Sequence, residues 1–236
     1  MIDFERWMVV GIVGSSFLAF GAPARSEIDP AEKACPEAFV ERAELRARLP
    51  RPKDATNVTR PALRKELLEM EQLDQEARNR FMEAISAGSG DVPVNDPARE
   101  AIIQVDDDIN LPKLKHFITQ DGFPTIAMVG LDGVQAAFLL IQHADSAPQF
   151  QARMLKVISR RLRTGEINGN QYALLTDRVL QSQGKAQRYG TQFQGKGDQL
   201  KPLPIEDEAH VDQRRHALGS CLWQTTPALY TRGLGE

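Results

Sequence analysis

Four groups of polar side chains stand where this sequence otherwise calls for apolar ones. The first is Asp74 with Gln75 and Arg78. Asp74 interrupts an apolar series at helical spacing, and a carboxylate buried there must be paired or hydrogen-bonded. An Asp74–Arg78 pair at i, i+4 would satisfy it within the helix; a ligand pocket would use the same groups. The second is Gln142-His143-Ala144-Asp145, closing an apolar run. His143 there is either a charge that caps a helix C-terminus or a general acid/base, since imidazole titrates near neutral pH and Asp145 is two residues on. A His-x-Asp fragment is too little to specify a metal, and no metal or cofactor is expected. The third is Asp177-Arg178 on another apolar helix, and the fourth is Gln187-Arg188-Tyr189-Gly190-Thr191-Gln192, which crowds amide, hydroxyl and guanidinium groups around a glycine. Gln151 adds an amide on an apolar line. Polar groups that end or interrupt apolar faces must meet partners when the helices pack, which predicts one pocket lined by His143, Asp177, Tyr189 and Gln192, with Asp74 and Arg78 at its wall.

The elements that position these groups read as helices. Leu63, Leu67, Met70, Ala77, Phe81 and Ala84 recur at three-and-four spacing, with Pro61 in the first turn and Gly88 as the stop. A loop follows over 87–97, then short helices over 98–107 and 111–120, the second capped by Asn110. Residues 125–129 read as a short extended or apolar link, Asp132-Gly133 as a turn, and 134–141 as a buried central helix. Ser146-Ala147-Pro148-Gln149 reads as a capping box for a helix that buries Phe150, Met154, Leu155, Ile158 and Leu162 and ends at Gly165. Further helices are expected over 170–183 and 206–218. With no strand series and no repeat, the fold class is all-α, an irregular bundle of about six to eight helices with an extended loop near its C-terminal end.

The residues before this bundle suggest export. From Trp7 to Ala22 the chain is uncharged and apolar, short of the ~18 apolar residues of a membrane span, and Ala22-Pro23-Ala24 gives a small-x-small cleavage pattern. The expected organisation is a signal peptide over 1–24, a lead-in segment over 25–60 with a short helix at 36–48, a helical domain over 61–219 and a tail over 220–236. The product would be periplasmic or secreted, with no stable membrane span after cleavage. In that oxidising setting an even cysteine count favours a disulfide between Cys35 and Cys221, near the two ends of the mature chain. Lys and Arg number 29 against 32 Asp and Glu, a net charge of −3 that offers no basic field for nucleic acid.

Taken together, Leu73-Asp74-Gln75 with Arg78, Gly122-Phe123-Pro124, Gln142-His143-Ala144-Asp145, Gln151, Thr176-Asp177-Arg178-Val179, Gln187 and Tyr189-Gly190-Thr191-Gln192 resemble the signature of the bacterial domain-of-unknown-function family 6624. Pro204-Ile205-Glu206-Asp207, Val211-Asp212 and Arg214-Arg215 extend the resemblance, which covers about 63–219 and departs at Ser220-Cys221-Leu222-Trp223. It implies a shared fold and pocket and brings no reaction. Standard signatures, the GxSxG elbow, HExxH helix, Walker loop and dinucleotide fingerprint, do not occur. Two readings stay open. One is an envelope enzyme, a hydrolase or lyase, with His143 as acid/base, Asp177 or Asp74 orienting it, and Tyr189 and Gln192 holding a small molecule. Asp74, Arg78, Gln142, Asp145, Gln151, Arg178, Gln187 and Thr191 are the further candidates for binding that ligand. The other is a non-enzymatic envelope binding or scaffold protein, whose polar network specifies helix packing around a ligand or partner peptide and leaves His143 and Asp177 buried and fully satisfied.

Overall fold

The computed structural model describes residues 58–87, 96–194 and 201–219. The expected signal peptide, the helix at 36–48, the stop at Gly88, both cysteines and the tail lie outside the described residues. The chain divides between Ile167 and Asn168 into two compact units.

The described part of the first unit is built on a long helix, α1 (Pro61–Ala87), whose buried line is Leu63, Leu67, Met70, Asp74, Ala77 and Phe81. The acid at the centre of that line is 1% exposed. Helix α2 (Pro97–Ile103) starts at Asp96, whose side chain accepts from the Ala98 amide, and it passes without a break into a π-helical turn, Gln104–Asn110, and then into α3 (Leu111–Asp121). The expected break and Asn110 cap are therefore corrected: Asn110 has helical backbone angles, and its side-chain amide donates to the Met70 carbonyl at 3.2 Å. Burial against α1 outweighed local capping.

Helix α4 (Ile126–His143) begins earlier than the apolar run suggests. Thr125 caps it by accepting from the Met128 amide, so 125–129 is a helical turn and no extended link. The backbone does break, at Gly130 (φ +77°) and not at Asp132-Gly133, where Asp132 instead pairs with Arg64. A side chain at residue 130 would be strained by that φ and would also meet the Asp132 carboxylate. Helix α4 is long and apolar enough to cross a membrane, yet most of it is buried, chiefly against α1, which marks it as a core helix. Val58 is buried, and the Thr59 and Arg60 amides donate to the Ala127 and Met128 carbonyls, so residues 58–60 pack on this core. Helix α5 (Pro148–Arg163) follows, buried through Phe150, Gln151, Met154 and Ile158. The capping box expected at Ser146 is absent. Ala147 takes the cap position without a side-chain bond, and the Ser146 hydroxyl donates to Asp107 at 2.5 Å.

The second unit holds α6 (Gly169–Ser182), a two-residue ribbon of β1 (Phe193–Gln194) and β2 (Lys201–Pro202) paired antiparallel, a 3-10 turn (Glu208–His210) and α7 (Val211–His216). Here the capping box is real: Asn168 accepts from the Gln171 amide and the Gln171 side chain accepts from the Asn168 amide. The expected 206–218 helix is shorter, because Asp207 adopts a left-handed conformation (φ +44°). Seven α-helices among the described residues agree with the all-α class.

Candidate functional site

Asp74 and His143 come from two helices that bury their apolar faces against each other, and that packing brings their polar groups together. His143 Nδ1 lies 2.7 Å from Asp74 Oδ1. Arg78, one turn after Asp74, sets Nε 3.2 and 3.3 Å from the two Asp74 oxygens and 3.0 Å from His143 Nδ1. The short contact to a carboxylate assigns the Nδ1 proton to a bond with Asp74, so the single Nε–H of Arg78 donates to Asp74 and not to the ring. Gln75 Nε2 donates to the other Asp74 oxygen at 2.7 Å. The far end of Arg78 donates from Nη2 to Asp106 Oδ2 at 2.5 Å.

Asp106 was not singled out in the sequence. It lies in the π-helical turn, where the wider i, i+5 spacing changes which side chains share a face, so a 3.6-residue period cannot place it. The run Asp106-Asp107-Asp108 is the only sequence signal for it, and by type it reads as a solvated stretch.

The two carboxyls titrate apart. Burial pushes Asp74 up, but the charge and hydrogen bond of His143, the charge of Arg78 and a hydrogen bond from Asp106 outweigh it and hold Asp74 well below the usual carboxylate range. Burial pushes Asp106 up to about 9; Arg78 opposes this, while the charges of Asp74 and Asp145 and the hydrogen bond to Asp74 add to it. Near neutral pH the pair shares one proton, with Asp106 the group driven toward its protonated form. His143 and Asp74 are buried, whereas Arg78 is 29% and Asp106 11% exposed, so the cluster reaches water along its Arg78–Asp106 edge. Asp145 is exposed at the same helix end.

Gln151 is buried and caps the end of α4, donating to the Ile141 and Gln142 carbonyls at 3.1 and 2.9 Å. The Gln142 side chain is fully buried, and neither of its amide atoms has a hydrogen-bond partner among the described residues.

In the second unit, Asp177 organises a loop. Its Oδ1 accepts from the Arg188 and Tyr189 amides at 2.7 and 3.0 Å, and its Oδ2 accepts from the Thr191 amide and hydroxyl, both at 2.9 Å. Gly190 (φ +66°) lets the backbone turn so that these amides converge. Burial pushes the Asp177 carboxyl up, and the same donors offset part of that rise. Gln187 bonds through its oxygen to the Gln192 amide and through its nitrogen to the Gln192 and Leu203 carbonyls; Gln192 Nε2 donates to Thr191 Oγ1. Arg215 donates to the Tyr189 carbonyl at 2.7 Å, and the Tyr189 ring meets Tyr172 edge-on at 6.2 Å. Arg178 is buried on the same helix.

The expected site residues thus form two networks, Asp74, Arg78 and His143 within one unit and Asp177, Gln187, Tyr189, Thr191 and Gln192 within the other. Of the two carboxylates considered for orienting His143, the hydrogen bond is made by Asp74. Among the described residues, no three His, Cys, Asp or Glu side chains are grouped to hold a metal ion.

A family model described as a family of unknown function, DUF6624, matches residues 61–227, and the chain belongs to this family. The match runs past Gly219, so the segment 220–223 falls inside it. No curated protein and no solved structure matches the chain.

Proposed function

We propose that the Asp74–Arg78–Asp106–His143 cluster is an acid–base centre that binds a small polar ligand and acts on it by proton transfer, in a hydrolysis or an elimination. The observation that carries this reading is geometric: an imidazole, a guanidinium and two carboxyls meet in one cluster whose Arg78–Asp106 edge reaches water, and the two carboxyls there are driven apart, Asp74 down and Asp106 up. Titratable groups pushed apart within one cluster are what acid/base chemistry at neutral pH uses. Asp74 holds His143 by Nδ1 and so fixes the orientation of the ring in the cluster. Asp106 is the acid, and the Arg78 guanidinium fits an anionic or carbonyl oxygen beside it.

The reading is tested with purified protein and two variants, His143→Ala and Asp106→Asn. All three are run against chromogenic ester, phosphoester and glycoside substrates and a thermal-shift library of small polar metabolites. A hit that both variants lose while staying folded supports the centre. If the wild type neither binds nor turns over any compound and His143→Ala only lowers thermal stability, the cluster is a packing device.

A scaffold reading is favoured for the second unit by one observation: both Asp177 oxygens are engaged by loop amides and a hydroxyl. Export to the periplasm or beyond, with cleavage after Ala24 and a Cys35–Cys221 disulfide, is proposed from the apolar run, the small-x-small pattern and the even cysteine count.

A further inference from the structure

Helix α5 carries Arg153, Lys156, Arg160, Arg161 and Arg163 and no acidic residue. Arg161 is engaged by Glu166 at 2.8 Å and by the Phe123 carbonyl. The other four cations are exposed, and none is held in an ion pair among the described residues. They fall at i, i+3, i+7 and i+10, a single line opposite the buried Met154 and Ile158. That line is about 15 Å long. The residues beside it, Ala152, Val157 and Ser159, are short, so the cationic heads stand above them. At the first turn of the helix the Lys115 Nζ lies 5.9 Å from the centre of the Phe150 ring.

A straight row of basic heads with no interleaved aromatic ring and no acid is complementary to a plane of negative charge. The geometry points to docking of α5 on an anionic lipid bilayer, with Arg153, Lys156, Arg160 and Arg163 among the headgroups. A flexible polyanion such as nucleic acid fits the row less well, because the net charge of −3 offers no wider basic field and no aromatic side chain stands in the row for a base to stack on. This surface is independent of the acid–base centre, and neither inference requires the other.

The test is cosedimentation of the full chain with vesicles of phosphatidylcholine alone or mixed with phosphatidylglycerol, at low salt and at 0.5 M salt. Comparing the two lipids cancels any binding through the apolar segment at residues 7–22. Binding should rise with phosphatidylglycerol and fall back in high salt. Arg160→Gln/Arg163→Gln should weaken the phosphatidylglycerol-dependent part about tenfold or more. Lys65→Gln/Lys201→Gln, an equal change of charge at exposed cations elsewhere, should leave it intact. Circular dichroism checks that both variants fold. Equal binding to the two lipids, equal loss in both double variants, or tighter capture of a single-stranded oligonucleotide than of the mixed vesicles would overturn the proposal.

Discussion

At pH 7 the Asp106 carboxyl keeps a proton that an unfolded chain would release near pH ~4, and this makes stability depend on pH in a defined direction. With a folded value of about 9, the native state binds more protons than the unfolded state between pH ~4 and ~9. Stability from this group is therefore greatest below the unfolded value and declines as pH rises through that window. Asp74 acts oppositely: its depressed carboxyl contributes stability above pH ~4 that is lost as pH falls through its folded value. Asp106→Asn keeps an acceptor for Arg78 and a donor for Asp74 while removing the ionisation. Its stability relative to wild type should climb between pH 5 and pH 8.5, by at most about 1.4 kcal/mol per pH unit. Urea unfolding at three pH values measures this, and a pH-independent difference would show that Asp106 is not protonated in the fold.

The helix ends show how local chemistry and packing compete. Ser146 and Asn168 both have a cap residue type followed three positions on by a glutamine, yet only Asn168 makes the reciprocal bonds. Ser146 is drawn to Asp107 across the fold, and Gln151 takes over the end of α4. Asn168→Ala should cost about 1 kcal/mol of stability, and Ser146→Ala less than about 0.5 kcal/mol. Chemical denaturation of the two variants side by side distinguishes them; equal losses would assign a cap to Ser146 after all. Next to that cap, Gly169 meets the Leu218 carbonyl closely enough that any Cβ would collide with it. This glycine therefore lets the start of α6 approach the end of the α7 segment.

At the scale of the whole chain, the apolar run at 7–22 and the cysteines at 35 and 221 suggest a protein that is exported, trimmed and joined near its ends. Intact-mass measurement of the exported form should find a chain beginning at Arg25, and non-reducing peptide mapping should find the Cys35 and Cys221 peptides linked. Recovery of the full-length chain in membranes, or free thiols on both cysteines, would count against these two expectations respectively. In the chain-entropy view, a crosslink over so long a loop adds up to roughly 5 kcal/mol, so reduction should lower the unfolding temperature.

Periodicity alone determined that the described chain is helical, that α1 buries the face holding Asp74, and that Asp74 and Arg78 are one turn apart, because a 3.6-residue repeat fixes which side chains share a face. The residue types also marked His143 and Asp177 as groups needing partners. Which partners they found was decided by tertiary structure. Packing of α4 on α1 paired His143 with Asp74, the π-helical turn carried Asp106 to Arg78, and the left-handed Gly190 aimed three amides at Asp177. Each of these joins residues far apart in sequence or depends on backbone outside the regular repeat, and no local spacing encodes either.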